Sequence, residues 1–253
     1  MKELIKQLVQ VPGPSGYESA IRETIREIIK PHVQETRVDA MGNLIARVGS
    51  KSKGGMRVMV AAHMDEIGLI ISHVEKKGLL RFSNIGTVMP RYLPASRVLF
   101  LNGTRGVIHS DRHDDLSKIQ PISQFFVDVG ASNEKDCPVK IGDLAVFEGE
   151  FLDLGKRVSS KALDDRSACA LMIETIARVT PMPAMRPAPM AVKSILISFA
   201  LPEAERNRTR LKAHATATPV PMLPFTIMMI TQTTAGSSAS VTAKLFVQRV
   251  RYI

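Results

Sequence analysis

Between residues 33 and about 160 the apolar residues come in short runs of four to eight, rich in Val, Ile, Leu and Phe and separated by Gly, Pro and Asn. Runs of this length and composition predict β-strands. Two of them, RVMVAAH and GLIISHV, are almost continuously apolar, which is typical of strands covered on both faces. Four others, RVLFLNG, RGVIHS, QFFVDVG and DLAVFEGEF, are short and closely spaced. We therefore predict a small β-rich module inserted into an α/β domain.

Helical patterns lie on both sides of the strand-rich region. Apolar residues recur at helical spacing twice before residue 30, which predicts two opening helices. Ser15 and Glu18 have the spacing of a capping box for the second helix. The same periodicity predicts a third helix from about Arg166 to Val179.

The formal net charge of +10 is concentrated in the last third of the chain. Residues 1–174 hold 24 Lys and Arg against 22 Asp and Glu, whereas residues 175–253 hold 10 against two. The stretch from Pro181 to Pro189 contains too much proline for a helix or a central strand, so it predicts a loop. SILISFAL predicts one further strand, and no clear periodicity follows it. The basic cluster RNRTRLK lacks interleaved aromatic residues, so we expect no nucleic-acid partner.

Hydropathy and cysteine usage indicate the compartment. No apolar run reaches the roughly 18 residues that a membrane-spanning helix needs, and the opening residues predict an amphipathic helix rather than a signal peptide. The two cysteines, Cys137 and Cys169, are isolated in the sequence and do not suggest a disulfide framework. We expect a cytoplasmic protein with no membrane partner.

Two pairs of polar residues follow strand-like runs. His63 and Asp65 stand two positions apart, so in an extended chain they point to the same side. A surface hydrogen bond and a metal site both fit this pair. Asp164 and Asp165 are adjacent at a predicted strand-to-helix junction. Such acids can cap the helix, or Asp164 can bridge two divalent cations while Asp165 binds the local backbone.

The motifs together resemble a known family. PGPSGYE, GNLIA, AAHMDEIGLI, FVDVGAS, KIGDLAVFEGEF and KALDDRSACA have the order and spacing found in the TET-type dinuclear metallo-aminopeptidases, which include glutamyl and deblocking aminopeptidases and members labelled endoglucanase or cellulase. The resemblance covers residues 1 to about 179. It implies an aminopeptidase-type α/β/α sandwich, formed by residues 1–68 and 158–253, with an inserted β-barrel-like oligomerisation module at residues 69–157. Within this division, residues 180–253 form a divergent tail.

The resemblance also implies a peptide hydrolase with two divalent metal ions, zinc or cobalt. His63 matches a metal ligand, Asp65 the residue that orients this histidine, and Asp164 the carboxylate that bridges both ions. The peptide bond from Asp164 to Asp165 is often cis in such enzymes. Glu203 matches the general base. The implied partners are peptide substrates, from which N-terminal residues are removed, and further copies of the chain, assembled as a dodecamer in the family.

The last third of the chain departs from the family pattern. Ala204 takes the place of a second, metal-binding glutamate, Glu205 lies one position beyond it, and residues 206–253 contain no Asp or Glu. We therefore expect an incomplete second metal site and impaired activity. Either a shifted or truncated coding sequence or genuine divergence explains this tail. The alternative to an aminopeptidase is a non-catalytic oligomeric relic of the family with an incomplete metal site.

Overall fold

A computed structural model describes residues 1–49, 58–112 and 118–180 with their side chains, and the backbone alone of residues 56–57, 192–200, 227–233 and 240–246. The helices are α1 (Lys2–Gln10), α2 (Ser19–Ile29) and α3 (Leu163–Val179), with short 3-10 segments at Lys30–His32, Pro90–Tyr92 and Ile122–Gln124. The strands are β1 (Glu35–Val38), β2 (Leu44–Val48), β3 (Met56–His63), β4 (Gly68–Val74), β5 (Leu80–Ile85), β6 (Arg97–Phe100), β7 (Arg105–Ser110), β8 (Phe125–Asp128), β9 (Leu144–Phe147), β10 (Leu152–Asp153), β11 (Val158–Ser159), β12 (Val192–Ala200), β13 (Ile227–Thr233) and β14 (Ser240–Phe246).

The chain divides into two compact units, and the first combines helices with a mixed sheet. Unit 1 comprises Met1–Leu8, Ile21–Met64 and Leu163–Ile253. Its six strands lie in the order β1-β2-β12-β3-β13-β14, and β12 runs parallel to β3. Buried Ile21, Ile25 and Ile29 recur every four residues along α2, so one face of this helix enters the core. Helix α3 packs on β3.

The second unit contains a closed antiparallel β-barrel. Unit 2 comprises Val9–Ala20 and Asp65–Ala162, and its barrel strands follow the order β4-β5-β8-β7-β6-β9. The barrel interior is filled by apolar side chains: Leu69, Ile71, Val74, Leu80, Phe82, Val88, Leu93, Val98, Phe100, Ile108, Phe125, Val127, Val139 and Ala145. Gly106 on β7 lies so close to Val127 that a side chain there would clash. Closure removes the exposed edges that a short open sheet would have.

A network of charged groups stabilises the barrel wall. The Arg81 guanidinium donates to Asp111 through two nitrogens at 2.7 and 2.8 Å, and its Nε donates to Glu75. It also lies over the ring of Phe126, 5.5 Å from the ring centroid. The hydrogen bonds from Arg81 hold the pKa of Asp111 below its usual value, and they raise the pKa of Arg81. One guanidinium therefore binds two carboxylates of the same unit.

The predicted fold class is confirmed: one unit combines helices with a mixed sheet, and a barrel interrupts the sequence of that domain. RVMVAAH forms β3, and the four short runs form β6 to β9. GLIISHV is strand β4 of the barrel, and the prediction that both its faces are covered is wrong because Ser72 and His73 are exposed. The tail contributes β13 and β14, which no sequence periodicity predicts. The predicted domain boundaries at residues 68 and 158 stay a prediction.

The start of α2 differs from the sequence prediction. The helix begins at Ser19, so Ser15 is not its N-cap. Instead the Ser15 hydroxyl donates to the carboxylate of Asp65, and Glu18 accepts from the backbone N–H of Gly16. The predicted capping box is therefore wrong, because its two side chains serve a turn and a distant acid. Within the described residues, no helix has the length and apolar character to cross a membrane.

Candidate active site

The end of β3 and the start of α3 bring two predicted site residues together. His63 is the last residue of β3, and Asp164 precedes the first residues of α3 with regular helical dihedrals. His63 Nε2 lies 3.0 Å from Asp164 Oδ1, although 101 positions separate these residues in sequence. The His63 side chain is 29% exposed and that of Asp164 is 70% exposed. The pair is therefore open to a ligand from solvent.

The donor set of this pair fits a divalent metal ion. An imidazole nitrogen and a carboxylate oxygen are both zinc ligands, and two ligands on one tetrahedral zinc stand ~3.3 Å apart. The separation between His63 and Asp164 is close to this value. Among the residues that the structure describes, no group of three or more metal-binding side chains occurs. The described residues thus bring together two side chains of the kinds that bind metal ions, His63 and Asp164.

Asp165 differs sharply from its neighbour, since it is only 5% exposed. Burial raises the pKa of its carboxyl to about 7; the charge of His63 lowers it and that of Asp164 raises it. The carboxylate accepts from the backbone N–H groups of His63 and Ala168, the latter three positions along the helix as in an N-cap. Its Oδ1 has no hydrogen-bond partner among the described residues. The bond from Asp164 to Asp165 is cis, as the resemblance implies.

The two adjacent acids therefore divide the roles that the sequence left open. Asp165 binds the local backbone at the start of α3. Asp164 turns to His63 instead. The capping interpretation holds for Asp165 and leaves Asp164 available for a ligand.

Asp65 belongs to unit 2, where it is buried and accepts from the hydroxyl of Ser15. Its predicted role, orienting the His63 ring, stays a prediction. Sequence reasoning missed Ser15 as the partner of Asp65, since it assigned this serine to the helix cap. The available signal was the motif PGPSGYE, in which the serine follows two prolines and precedes a glycine, a context typical of a turn.

A buried ion pair in unit 2 was also missed. The ammonium of Lys161 donates to Glu66 Oε2 at 2.8 Å and to Glu66 Oε1 at 2.9 Å. The backbone N–H of Gly13 donates to the same carboxylate at 3.1 Å. Glu66 stands three positions after His63, and Lys161 three positions before Asp164. A glutamate inside an apolar run was the only local signal, because the lysine lies 95 positions away.

Two further sets of predicted residues lie wholly or partly outside the residues that the structure describes. Three of them, Glu203, Ala204 and Glu205, lie outside the described residues, so the general base stays a prediction. The sequence also predicts a hydrophilic loop, rather than a cation site, for HSDRHDDLSK at residues 109–118. The carboxylate of Asp111 in this stretch accepts hydrogen bonds from Arg81, whereas positions 113–117 lie outside the described residues.

The matches to known proteins described next cover 70% to 78% of the chain. The chain is 41% identical over 179 residues to a candidate aminopeptidase of Acetivibrio thermocellus, covering 70% of this chain and 53% of that protein. The solved structure of an aminopeptidase from the archaeon Desulfurococcus kamchatkensis is similar with a TM-score of 0.68 and 35% identity, over 78% of this chain and 54% of that one. The TET1 peptidase of Pyrococcus horikoshii, whose structure describes assembly into a tetrahedron or a large octahedral shell, has a TM-score of 0.66 and 34% identity, over 78% and 59%.

The chain spans about half the length of the curated relatives it matches. The matching family model, described as M42 glutamyl aminopeptidase, aligns with residues 42–187, which include both His63 and Asp164. This stretch exceeds half of the 253 residues. The chain belongs to the M42 glutamyl aminopeptidase family.

Proposed function

We propose that this protein is a metal-dependent aminopeptidase that hydrolyses N-terminal residues from peptides. The observation that carries the proposal is the 3.0 Å separation between His63 Nε2 and Asp164 Oδ1 at a solvent-accessible strand end. Polar side chains that meet at such a position, next to a buried acid with a raised pKa, are typical of functional sites. Family membership supplies the reaction class.

His63 would supply an imidazole nitrogen and Asp164 a carboxylate to hold the metal, zinc or cobalt. Divalent ions held there would supply an activated water molecule and polarisation of the scissile carbonyl. Asp65 keeps the imidazole of His63 in one orientation, as a carboxylate behind a ligating histidine does. Glu203 accepts the proton that the attacking water loses, and returns it to the amine that leaves.

Hydrolysis of small peptide substrates tests the proposal. The full chain is loaded with zinc or cobalt and incubated with aminoacyl p-nitroanilides and with the same compounds blocked by N-acetylation. We expect release of p-nitroaniline from the unblocked compounds, and background rates for His63→Gln and Asp164→Asn. His73→Gln, at an exposed histidine on β4, is the matched control and keeps full activity. If the chain binds metal and hydrolyses none of these compounds, the proposed aminopeptidase activity is excluded.

The alternative function is a non-catalytic oligomeric relic with an incomplete metal site. The sequence favours it at one point, since Ala204 replaces a metal-binding glutamate and residues 206–253 contain no acid. Metal content separates the two functions. A complete site retains about two equivalents of metal after desalting, whereas a relic retains one or none.

We further propose that the protein is a homo-oligomer. The support is the similarity to the P. horikoshii peptidase, whose assembly is a tetrahedron or an octahedral shell, and the closed barrel of unit 2 as the oligomerisation module. Light scattering after size exclusion should give a mass near twelve times the 27.8 kDa of one chain. A mass of one chain would exclude the assembly. The cytoplasmic location and the lack of a nucleic-acid partner stay predictions.

A further inference from the structure

The backbone next to His63 is bound by three side chains of α3. The carboxylate of Asp165 accepts from the N–H of His63. The thiol of Cys169 lies 3.2 Å from the carbonyl oxygen of His63, to which it donates. Nε of Arg166 donates to the carbonyl oxygen of Met64 at 2.9 Å. One helix end thus contacts the N–H and the C=O of His63 and the next carbonyl along the chain.

Arg166 is the largest fully buried side chain of the described residues, with 0% exposure. Its Nη1 donates to the carbonyl oxygen of Leu8 at 2.9 Å. Leu8 lies in the last turn of α1, where carbonyls lack partners within the helix and where a positive charge is favourable. A single guanidinium therefore binds the C-terminal turn of α1 and the residue after β3, and the planar arrangement of its donors fixes the angle between these two hydrogen bonds.

The spacing of Arg166 and Cys169 along α3 matches that of two carbonyls at the end of β3. Arg166 and Cys169 are three positions apart, so they lie on the same face of α3. They bind two consecutive carbonyls, those of Met64 and His63. Arg166 also stands two positions after Asp164. The helix that carries one member of the candidate ligand pair therefore holds the backbone of the other member.

We propose that Arg166 and Cys169 are positioning residues that set the distance between His63 Nε2 and Asp164 Oδ1. A rotation or shift of α3 relative to the end of β3 would break the hydrogen bonds of both donors. With these bonds formed, the imidazole and the carboxylate stay close enough to share one ion. The positioning itself is a property of the metal-free protein, and only its consequence for metal affinity rests on the proposed function.

Nuclear magnetic resonance of the His63 ring in the metal-free full chain tests the positioning directly. The ring ¹H–¹⁵N cross-peaks of His63 are assigned by their loss in His63→Gln. We expect them to move or broaden in Cys169→Ala, which removes a donor with little change in volume, and more strongly in Arg166→Lys, which cannot reach both carbonyls. Cys169→Ser restores a donor and should return the peaks towards those of the parent. Unchanged peaks in Cys169→Ala would overturn the proposal, even where Arg166→Lys does not fold.

A control variant separates positioning from loss of stability. Ile176→Val removes one methylene from a buried residue of α3 that stands seven positions after Cys169 in the sequence. It should lower Tm and leave the His63 peaks in place. Peaks that move equally in Ile176→Val would show a general loosening and overturn the proposal.

Cobalt affinity gives the second readout. Outer partners of metal ligands typically change affinity by about 10- to 100-fold. We expect a loss of about tenfold or more in Arg166→Lys and about threefold in Cys169→Ala, since a thiol is a weak donor. Equal affinity in all variants would contradict the positioning role. A parent chain that binds no cobalt would overturn the proposed function, while the ring peaks would still decide whether Arg166 and Cys169 position His63.

Discussion

Charged side chains are paired differently in the barrel of unit 2 and at the strand end of unit 1. In the barrel, Arg81 pairs with Glu75 and Asp111, and buried apolar side chains form the core. At the end of β3, Asp165 is buried with one oxygen that has no partner among the described residues, and His63 and Asp164 meet in an open position. Matched charges stabilise a fold, whereas unmatched ones cost stability and tend to persist where they have a function. The contrast separates a barrel with paired charges in its wall from a strand end where the buried Asp165 keeps one oxygen without a partner among the described residues.

Truncating the barrel core should have the largest effect on stability. Phe100 is 1% exposed within the barrel cluster. We expect Phe100→Ala to lower the free energy of unfolding by about 3 to 5 kcal/mol, because the lost apolar burial adds to the cost of a cavity. Urea unfolding followed by circular dichroism measures this change. A loss below about 1.5 kcal/mol would show that the barrel core is not the source of its stability.

The pH dependence of stability tests whether the buried Asp165 at the site costs stability when it ionises. Because burial raises the pKa of Asp165 to about 7, the folded state binds this proton more tightly than the unfolded state, where the pKa is near 3.8. The resulting stability is fully present below pH 3.8 and is lost as the pH rises through about 7. We expect metal-free protein to lose about 2 to 4 kcal/mol across this window.

Asp165→Asn is the matched variant for this measurement, because it keeps the shape of the side chain and cannot ionise. Its free energy of unfolding should change much less over the same pH range. An identical pH dependence in the parent and in Asp165→Asn would assign the effect to other groups.

Removing the central charge of the barrel network should have an intermediate effect. Arg81→Met leaves Glu75 and Asp111 without their shared cation. We expect a loss of about 1 to 3 kcal/mol, the usual range for hydrogen bonds to charged groups. Thermal unfolding near pH 7 gives the value. Arg105→Met, which breaks a more exposed pair with Glu148, is the control and should cost less than 1 kcal/mol.

The smallest effect on stability is expected at His63. The side chain it contacts, Asp164, is 70% exposed, and ion pairs of this kind contribute about 0 to 1 kcal/mol. In the absence of metal, the free energy of unfolding of His63→Gln should therefore lie within about 1 kcal/mol of that of the parent. A loss as large as that of Phe100→Ala would mean that His63 is a structural residue, and the contrast between the two regions would fail.

Periodicity in the sequence predicted most helices and strands, but not the partners of individual polar groups. The apolar runs of β3 and of β6 to β9 are local signals, as is the helical spacing in α3. Strand β4 was misjudged because its run of apolar residues resembles that of a buried parallel strand. In a closed barrel, a strand with the same run of apolar residues turns only one of its faces to the interior.

The contacts between the site residues could not be predicted from local sequence signals. No spacing rule relates His63 to Asp164, and their proximity was expected only through resemblance to a family. Ser15, Lys161 and Arg166 were missed for the same reason, since each binds a residue at least 50 positions away. Long-range contacts of this kind are set by packing of whole elements, and a single sequence does not record them.

Cobalt titration of the metal-free full chain tests most directly whether His63 and Asp164 bind the same ion. Cobalt bound to nitrogen and oxygen ligands absorbs visible light, so binding is seen without any substrate. We expect a saturable band in the parent and in His73→Gln, and its loss to the same extent in His63→Gln and Asp164→Asn. A band that survives in either of these two variants, or that the parent never shows, would contradict a shared metal site.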